Sequence, residues 1–322
     1  MEKSSLKKSP AWPRGLVYYA RRFLGKKPTL VNLEVTKRCN AKCRFCDYWK
    51  EDHHDELTDY SAMVKYFRPV VLAISGGEPL VRKDLADIVR SARPYCHYMT
   101  MVSNGCLLNE DRVEELSQAG MNHMAISLDF LGKEHDIARG VPRLFEKVTT
   151  IVPQLISKGY KIGFNTVIME SNLEHIVPII QKTKEWGATI SFSCYCGLKK
   201  NDFGEMIAQK NYERLQEIVR EIESLKKQKG YKIKNSNYYL EHIPIYFRDG
   251  EIPNCKAGVD WVHIKPNGYV KPCSELDEFC HFSEYKREKA PKIDCCKCWY
   301  ACRGEAQANH LAPDRLMELL RS

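Results

Sequence analysis

The chain has 322 residues, of which 43% are hydrophobic and 28% charged, a composition that excludes wholesale disorder and allows about two domains. No run of about 18 apolar residues occurs, so the sequence offers no membrane-spanning helix. The formal charge is +9, but residues 1–27 hold eight Lys/Arg against one acid; a nucleic-acid enzyme would spread its basic residues over a binding face, so no nucleic-acid partner is expected.

That basic arm comes first. Pro13 to Leu24 reads as a short helix with proline in its first turn, and Leu16, Tyr19, Ala20, Phe23 and Leu24 form one apolar face ringed by Arg14, Arg21, Arg22, Lys26 and Lys27. Such a helix either packs on the body of the protein or lies on an anionic membrane beside a lipid-linked substrate. The stretch lacks a secretory apolar core, so the expected location is the cytoplasm, with residues 1–27 as a peripheral contact on the inner face of the membrane.

From residue 30 to about 196, strand-like runs alternate with helical patterns. The runs are Leu30–Thr36, Val70–Ser75, His97–Ser103, His123–Leu128, Lys161–Met169 and Thr189–Cys194. Between them, Asn109–Ala119 reads as a helix capped by Asn109 and stopped by Gly120; Leu144–Lys158 and Asn172–Trp186 read as two more, each ending at a glycine. Six such alternations predict right-handed βαβ crossovers and a parallel sheet, open or closed into a barrel, with ligands beyond the carboxyl ends of the strands. After Cys196 the alternation stops and a long charged helix, Asn211–Gly230, follows. The expected organisation is an arm over 1–29, an α/β core over 30–200 and a second unit over 201–322.

The 14 cysteines are too few for a disulfide scaffold, and they are clustered. Cys39, Cys43 and Cys46 follow the first strand as C-x3-C-x2-C, with Phe45 just before the third. Three thiolates on one loop can hold three corners of an iron–sulfur cube and leave one iron open to a chelating ligand. Structural zinc, or an electron-transfer cluster with a remote fourth ligand, remains an alternative from these residues alone.

These motifs resemble the radical S-adenosylmethionine (SAM) enzymes. C-x3-C-x-aromatic-C after the first strand is their signature, and matches follow in order at successive strand ends: Gly76-Gly77-Glu78-Pro79, Ser103-Asn104, Ser127-Leu128-Asp129, His135-Asp136 with Arg139-Gly140, and Asn165. The resemblance covers about residues 30–196 and implies a partial (β/α)6 TIM barrel. It implies a 4Fe–4S cluster on Cys39, Cys43 and Cys46, and SAM contacts from Phe45, Gly76, Gly77, Glu78, Pro79, Ser103, Asn104, Ser127, Asp129, Arg139 and Asn165. In this reading the two glycines admit backbone to the SAM amino group, and Arg139 pairs with the SAM carboxylate.

The second cysteine group begins with Cys255 and Cys273 around an Asn267-Gly268 hairpin signal, C-x12-G-x4-C, and continues with Cys295, Cys296, Cys298 and Cys302. This is similar to the SPASM and twitch extensions of radical SAM enzymes, but the tail is shorter. The resemblance implies a small C-terminal Fe–S domain with one auxiliary 4Fe–4S cluster, or two. The expected ligands are Cys255, Cys273, Cys295 and Cys298, with Cys302 as a substitute for Cys295. Cys280 is a further candidate ligand. Cys96 and Cys106 read as buried small residues, Cys194 or Cys196 as a candidate hydrogen-atom donor, and His53 and His54 as solvated.

The implied activity is reductive cleavage of SAM to a deoxyadenosyl radical, fed by an external donor such as flavodoxin or ferredoxin, then hydrogen abstraction from the substrate. Oxidative or cross-linking modification of a peptide or protein is the first expectation. The same chemistry on a lipid or isoprenoid is the second, and a non-catalytic Fe–S electron carrier is an answer of another class.

Overall fold

The computed structural model describes residues 20, 25, 27–50 and 55–308. The helix expected over 13–24, together with His53 and His54, falls outside these apart from Ala20. Six parallel strands follow one another in space as in sequence: β1 (Leu30–Thr36), β2 (Val71–Gly76), β3 (Tyr98–Ser103), β4 (His123–Ser127), β5 (Ile162–Ile168) and β6 (Thr189–Cys194). Helices α1 (Ser61–Phe67), α2 (Leu85–Ala92), α3 (Glu110–Ala119), α4 (Lys133–Arg139), α5 (Leu144–Ser157) and α6 (Leu173–Glu185) provide the crossovers. This is the expected partial (β/α)6 barrel.

Strand alternation sorts the side chains. Val31, Leu33 and Val35, then Leu72 and Ile74, Met99 and Met101, Met124 and Ile126, and Ile190, Phe192 and Cys194 all enter the main hydrophobic core. The opposite phase is polar: Asn32, Glu34 and Thr36 on β1, Ser127 on β4, Asn165 on β5, and Ser191 and Ser193 on β6 face the lumen. Local signals set the ends. The Asn109 side chain accepts from Arg112 N at 2.9 Å to start α3, and Gly120, at φ +109°, ends it.

The boundary expected near residue 200 is not a boundary in the sheet. Helices α7 (Tyr212–Lys226) and α8 (Asn237–Asp249) pack into the main core, and β7 (Trp261–Ile264) pairs parallel with β1. The hairpin signal holds: β7 and β8 (Tyr269–Lys271) are antiparallel around Gly268 at φ +89°. With β9 (Cys280–His281) the sheet reads β6-β5-β4-β3-β2-β1-β7-β8-β9. Helix α7 stops short of Gly230 because its buried stripe ends at Leu225.

The far edge of β6 is covered by later chain. Ile190 exchanges backbone bonds with Lys232 and Lys234 at 3.0 and 2.8 Å, and Cys194 N donates to Trp299 O at 3.3 Å. A short helix, α9 (Ala301–Gln307), follows Trp299. The segment that carries the second cysteine group therefore also shields an open strand edge. Among the described residues no helix is long and apolar enough to cross a membrane.

Candidate functional site

The loop after β1 carries Cys39, Cys43 and Cys46 and is held by its neighbours' backbones. Lys42 N and Arg44 N donate to the carbonyls of Arg139 and Ala138 at 3.1 and 3.0 Å, and Gly77 N and Glu78 N donate to Thr36 O and Arg38 O at 2.9 and 2.8 Å. The glycines serve this packing. A Cβ on Gly76 would lie 2.1 Å from Thr36 O, one on Gly77 would lie 2.3 Å from Lys37 O and from Arg38 O, and one on Gly140 would lie 2.8 Å from Lys42 O. The space left by the missing side chains of Gly76 and Gly77 is filled by the cysteine loop itself, which leaves their backbone carbonyls as the groups expected to approach SAM.

Two of the three thiols receive donors. Asn104 Nδ2 reaches Cys39 Sγ at 3.8 Å and Asn40 Oδ1 at 2.8 Å, and Arg139 Nη1 reaches Cys43 Sγ at 3.7 Å. Asn104 is set by Glu78, which is fully buried and accepts from Leu80 N at 2.9 Å, Ser103 Oγ at 2.8 Å and Asn104 N at 2.6 Å. Pro79 opens the short turn beside it.

Arg139 and Asp129, both expected to face SAM, are each other's partners. Arg139 Nε and Nη2 donate to Asp129 Oδ2 at 2.8 and 2.5 Å, while Val167 N donates to Asp129 Oδ1 at 2.9 Å. The guanidinium also lies over the Phe45 ring at 5.0 Å. The ion pair uses Nε and Nη2, and Nη1 faces the Cys43 sulfur. Asn165 accepts from Ser191 Oγ at 3.0 Å and stands beside Ser127 in register, a polar row across β4, β5 and β6.

The donor set fits an iron–sulfur cube. Burial pushes the Cys39 thiol up to about 11 and raises that of Cys43, so both stay neutral until a cation compensates them. Among the described residues no three His, Cys, Asp or Glu side chains converge closely enough to hold one metal ion, whereas a cube spreads its thiolates over several irons. Burial pushes the Cys106 thiol up to about 12, and the charges of Glu78, Cys39 and Cys43 add to the rise.

The second group gathers around the strand β7 and the short helix α9. Cys255, Cys273 and Cys302 pack with Ala257, Trp261 and Ala306, and burial raises Cys273 to about 12 and Cys302 to about 11. Cys298 is buried, and its sulfur lies 3.8 Å from Arg303 Nη1. Cys295 and Cys296 are half-buried, and Cys280 sits on β9 against the main core. Cys196 is buried with its sulfur 3.3 Å from Lys297 O. Cys194, the candidate hydrogen-atom donor, shares the core phase of Ile190 and Phe192 and is buried, with the Tyr239 hydroxyl 3.5 Å from its sulfur.

Between the two cysteine groups runs a polar bridge that the sequence did not reveal. The ammonium groups of Lys37 and Lys199 each lie 4.3 Å from the centre of the Tyr48 ring, and Lys199 Nζ is 3.2 Å from the Tyr48 hydroxyl. Lys199 also lies 5.9 Å from the Tyr300 ring, whose hydroxyl donates to Glu275 Oε1 at 2.8 Å. Glu34 meets Lys37 and His263, both at 2.9 Å; burial alone would raise its carboxyl, but these two partners hold it well below the usual range.

Comparison with known proteins places the chain among similar sequences and folds. The sequence profile of the radical SAM superfamily matches residues 33–183. The chain is 29% identical over 270 residues to the AdoMet-dependent heme synthase of Methanosarcina barkeri, covering 80% of this chain and 74% of that protein. It is 25% identical over 277 residues to the AdoMet-dependent heme synthase of Oleidesulfovibrio alaskensis, covering 78% and 71%. In fold it is similar to Streptococcus suis SuiB bound to S-adenosylmethionine, with a TM-score of 0.66 at 17% identity over 87% of this chain and 71% of that one.

Proposed function

We propose, from the premise that this chain belongs to the radical SAM superfamily, that it oxidises a carboxylate-bearing substrate held in the lumen between its two cysteine groups. The observation that carries this reading is the bridge of Lys37, Tyr48, Lys199 and Tyr300, which presents the Lys199 ammonium between the two sets of thiols beside a Lys37 already paired with Glu34. When bound, SAM on a 4Fe–4S cluster supplies a deoxyadenosyl radical that abstracts hydrogen, and an auxiliary cluster supplies an electron acceptor.

The chain's own residues do the rest. Cys39, Cys43 and Cys46 hold three corners of the first cluster, and Asn104 and Arg139 steady two of those sulfurs. Ser127 and Asn165 offer hydrogen bonds to SAM from the strand ends, beside the Phe45 ring. Lys199 makes no ion pair within 4 Å among the described residues, although the Glu275 charge acts on it, and its ammonium offers a substrate carboxylate a charge-assisted bond. Cys255, Cys273 and Cys298, with Cys295 or Cys302, hold the auxiliary cluster.

Haem and related tetrapyrroles carry carboxylate side chains, and the two heme synthase relatives put that class first. A peptide or protein with an acidic side chain, the expectation drawn from the sequence, is the second reading. The lipid reading rested on residues 13–24. The test is deoxyadenosine formation by the anaerobically reconstituted full chain with SAM and dithionite. Stimulation by an iron porphyrin bearing propionates, and not by its methyl ester, is the expected result. Stimulation by acidic peptides alone transfers the substrate to the second reading, and no deoxyadenosine under any condition overturns the proposal.

A further inference from the structure

Arg303, in the first turn of α9, is completely buried. Nη1 donates to the carbonyls of Cys298 and Cys296 at 2.6 and 3.0 Å and to Cys298 Sγ at 3.8 Å. Nη2 donates to Ile252 O, Nε donates to Gln307 Oε1 at 2.6 Å, and the group lies 5.7 Å from the Trp299 ring centre. Every one of these acceptors is neutral as it stands. Among the described residues Arg303 has no carboxylate partner, and the ionisable groups that act on it are the thiols of Cys298, Cys255 and Cys296.

A buried guanidinium without a counter-charge is strongly unfavourable. Elsewhere in this chain the buried Arg139 has Asp129, and Arg82 has Asp84. Arg303 has only sulfur. We infer that Arg303 is the positioning residue of the auxiliary site: its charge is matched when the surrounding thiols ligate a cluster, it fixes the Cys298 sulfur as one ligand, and it raises the reduction potential there. Hydrogen bonds and positive charge at a cluster's sulfurs favour the added electron.

This inference rests on the proposed oxidative function. There the substrate carbon loses a hydrogen atom to the deoxyadenosyl carbon. The substrate radical then gives one electron to the auxiliary cluster and one proton to water, and an external electron-carrier protein takes the electron onward. A potential raised by Arg303 makes the electron's departure from the substrate downhill.

The test is a potentiometric titration, followed by electron paramagnetic resonance, of the anaerobically reconstituted full chain and of Arg303→Gln. The expected result is a shift of the auxiliary signal to lower potential in Arg303→Gln, with the SAM-responsive signal unmoved. Arg303→Lys, which keeps the charge but loses the fork, falls between the two. A merely structural role lowers the melting temperature without moving the midpoint, and an unchanged midpoint in Arg303→Gln overturns the inference. If Arg303→Gln does not fold, an unchanged midpoint in Arg303→Lys overturns it instead. Iron content separates the levels: about eight irons per chain are expected for two cubes. Only about four in the wild-type chain removes the electron acceptor, and the inference with it; about eight with an unmoved midpoint removes the inference alone.

Discussion

The Glu78 carboxylate accepts the Asn104 backbone N–H at 2.6 Å, and so ties the turn after β2 to the turn after β3 directly behind the Cys39 sulfur. The same carboxylate satisfies Leu80 N and Ser103 Oγ, with no exposure to solvent. Glu78→Ala leaves three buried donors without an acceptor. At about 1–3 kcal/mol for an unsatisfied group, with partial relaxation, the variant should lose about 2–4 kcal/mol of unfolding free energy. Urea denaturation of the apoprotein measures it, and a loss below about 0.5 kcal/mol refutes the tie.

Gly77→Ala tests the packing of the cysteine loop. The new methyl would need the space of the Lys37 and Arg38 carbonyls, each 2.3 Å away, so the loop must move. Iron content after reconstitution should fall from about eight to about four per chain as the first site fails and the second persists. Full iron loading would show that the loop tolerates displacement.

Asp129 and Arg139 form a buried ion pair, and removal of one partner strands the other. Arg139→Ala should cost about 3–5 kcal/mol, and Asp129→Ala a similar amount. The double variant should cost clearly less than the sum, by at least about 1 kcal/mol. Additive costs would mean that the pair contributes no coupling.

Acid sensitivity follows from two histidines. Burial lowers His135 to about 4 and His123 to about 4, so the folded chain keeps both neutral while the unfolded chain protonates them near 6.5. Between pH 6.5 and 4 the unfolded state binds more protons, and unfolding free energy falls as pH falls, by up to about 3 kcal/mol per histidine. His135→Gln, which keeps an acceptor for Asp129 N, should remove about half of that slope in denaturation curves taken across the window. An undiminished slope would assign the sensitivity elsewhere.

What sequence reasoning reached was local or ordered along the chain. The Asn109 cap and the Gly120 stop are written within one helix, and the successive strand-end motifs line up because a parallel barrel brings consecutive carboxyl ends to one rim. Pairs made by tertiary approach were out of reach: Asp129 with Arg139, Glu34 with His263, and Lys199 with Tyr48 depend on how strand ends and distant loops meet. The burial of Cys194 was legible, since alternation with Ile190 and Phe192 assigns it to the core. That β7 would join β1 was also out of reach, because β7 carries no mark of the edge it joins, and four buried residues in a row fit any sheet equally well.

The Cys194–Trp299 backbone bond has a consequence for handling this protein in air. The residue that seals the outer flank of β6 sits one position from Cys298, so oxidative loss of iron there would loosen the seal as well as the electron acceptor. Aerobically prepared chain should therefore clump through bared strand flanks, and turbidity on exposure to oxygen should track iron release.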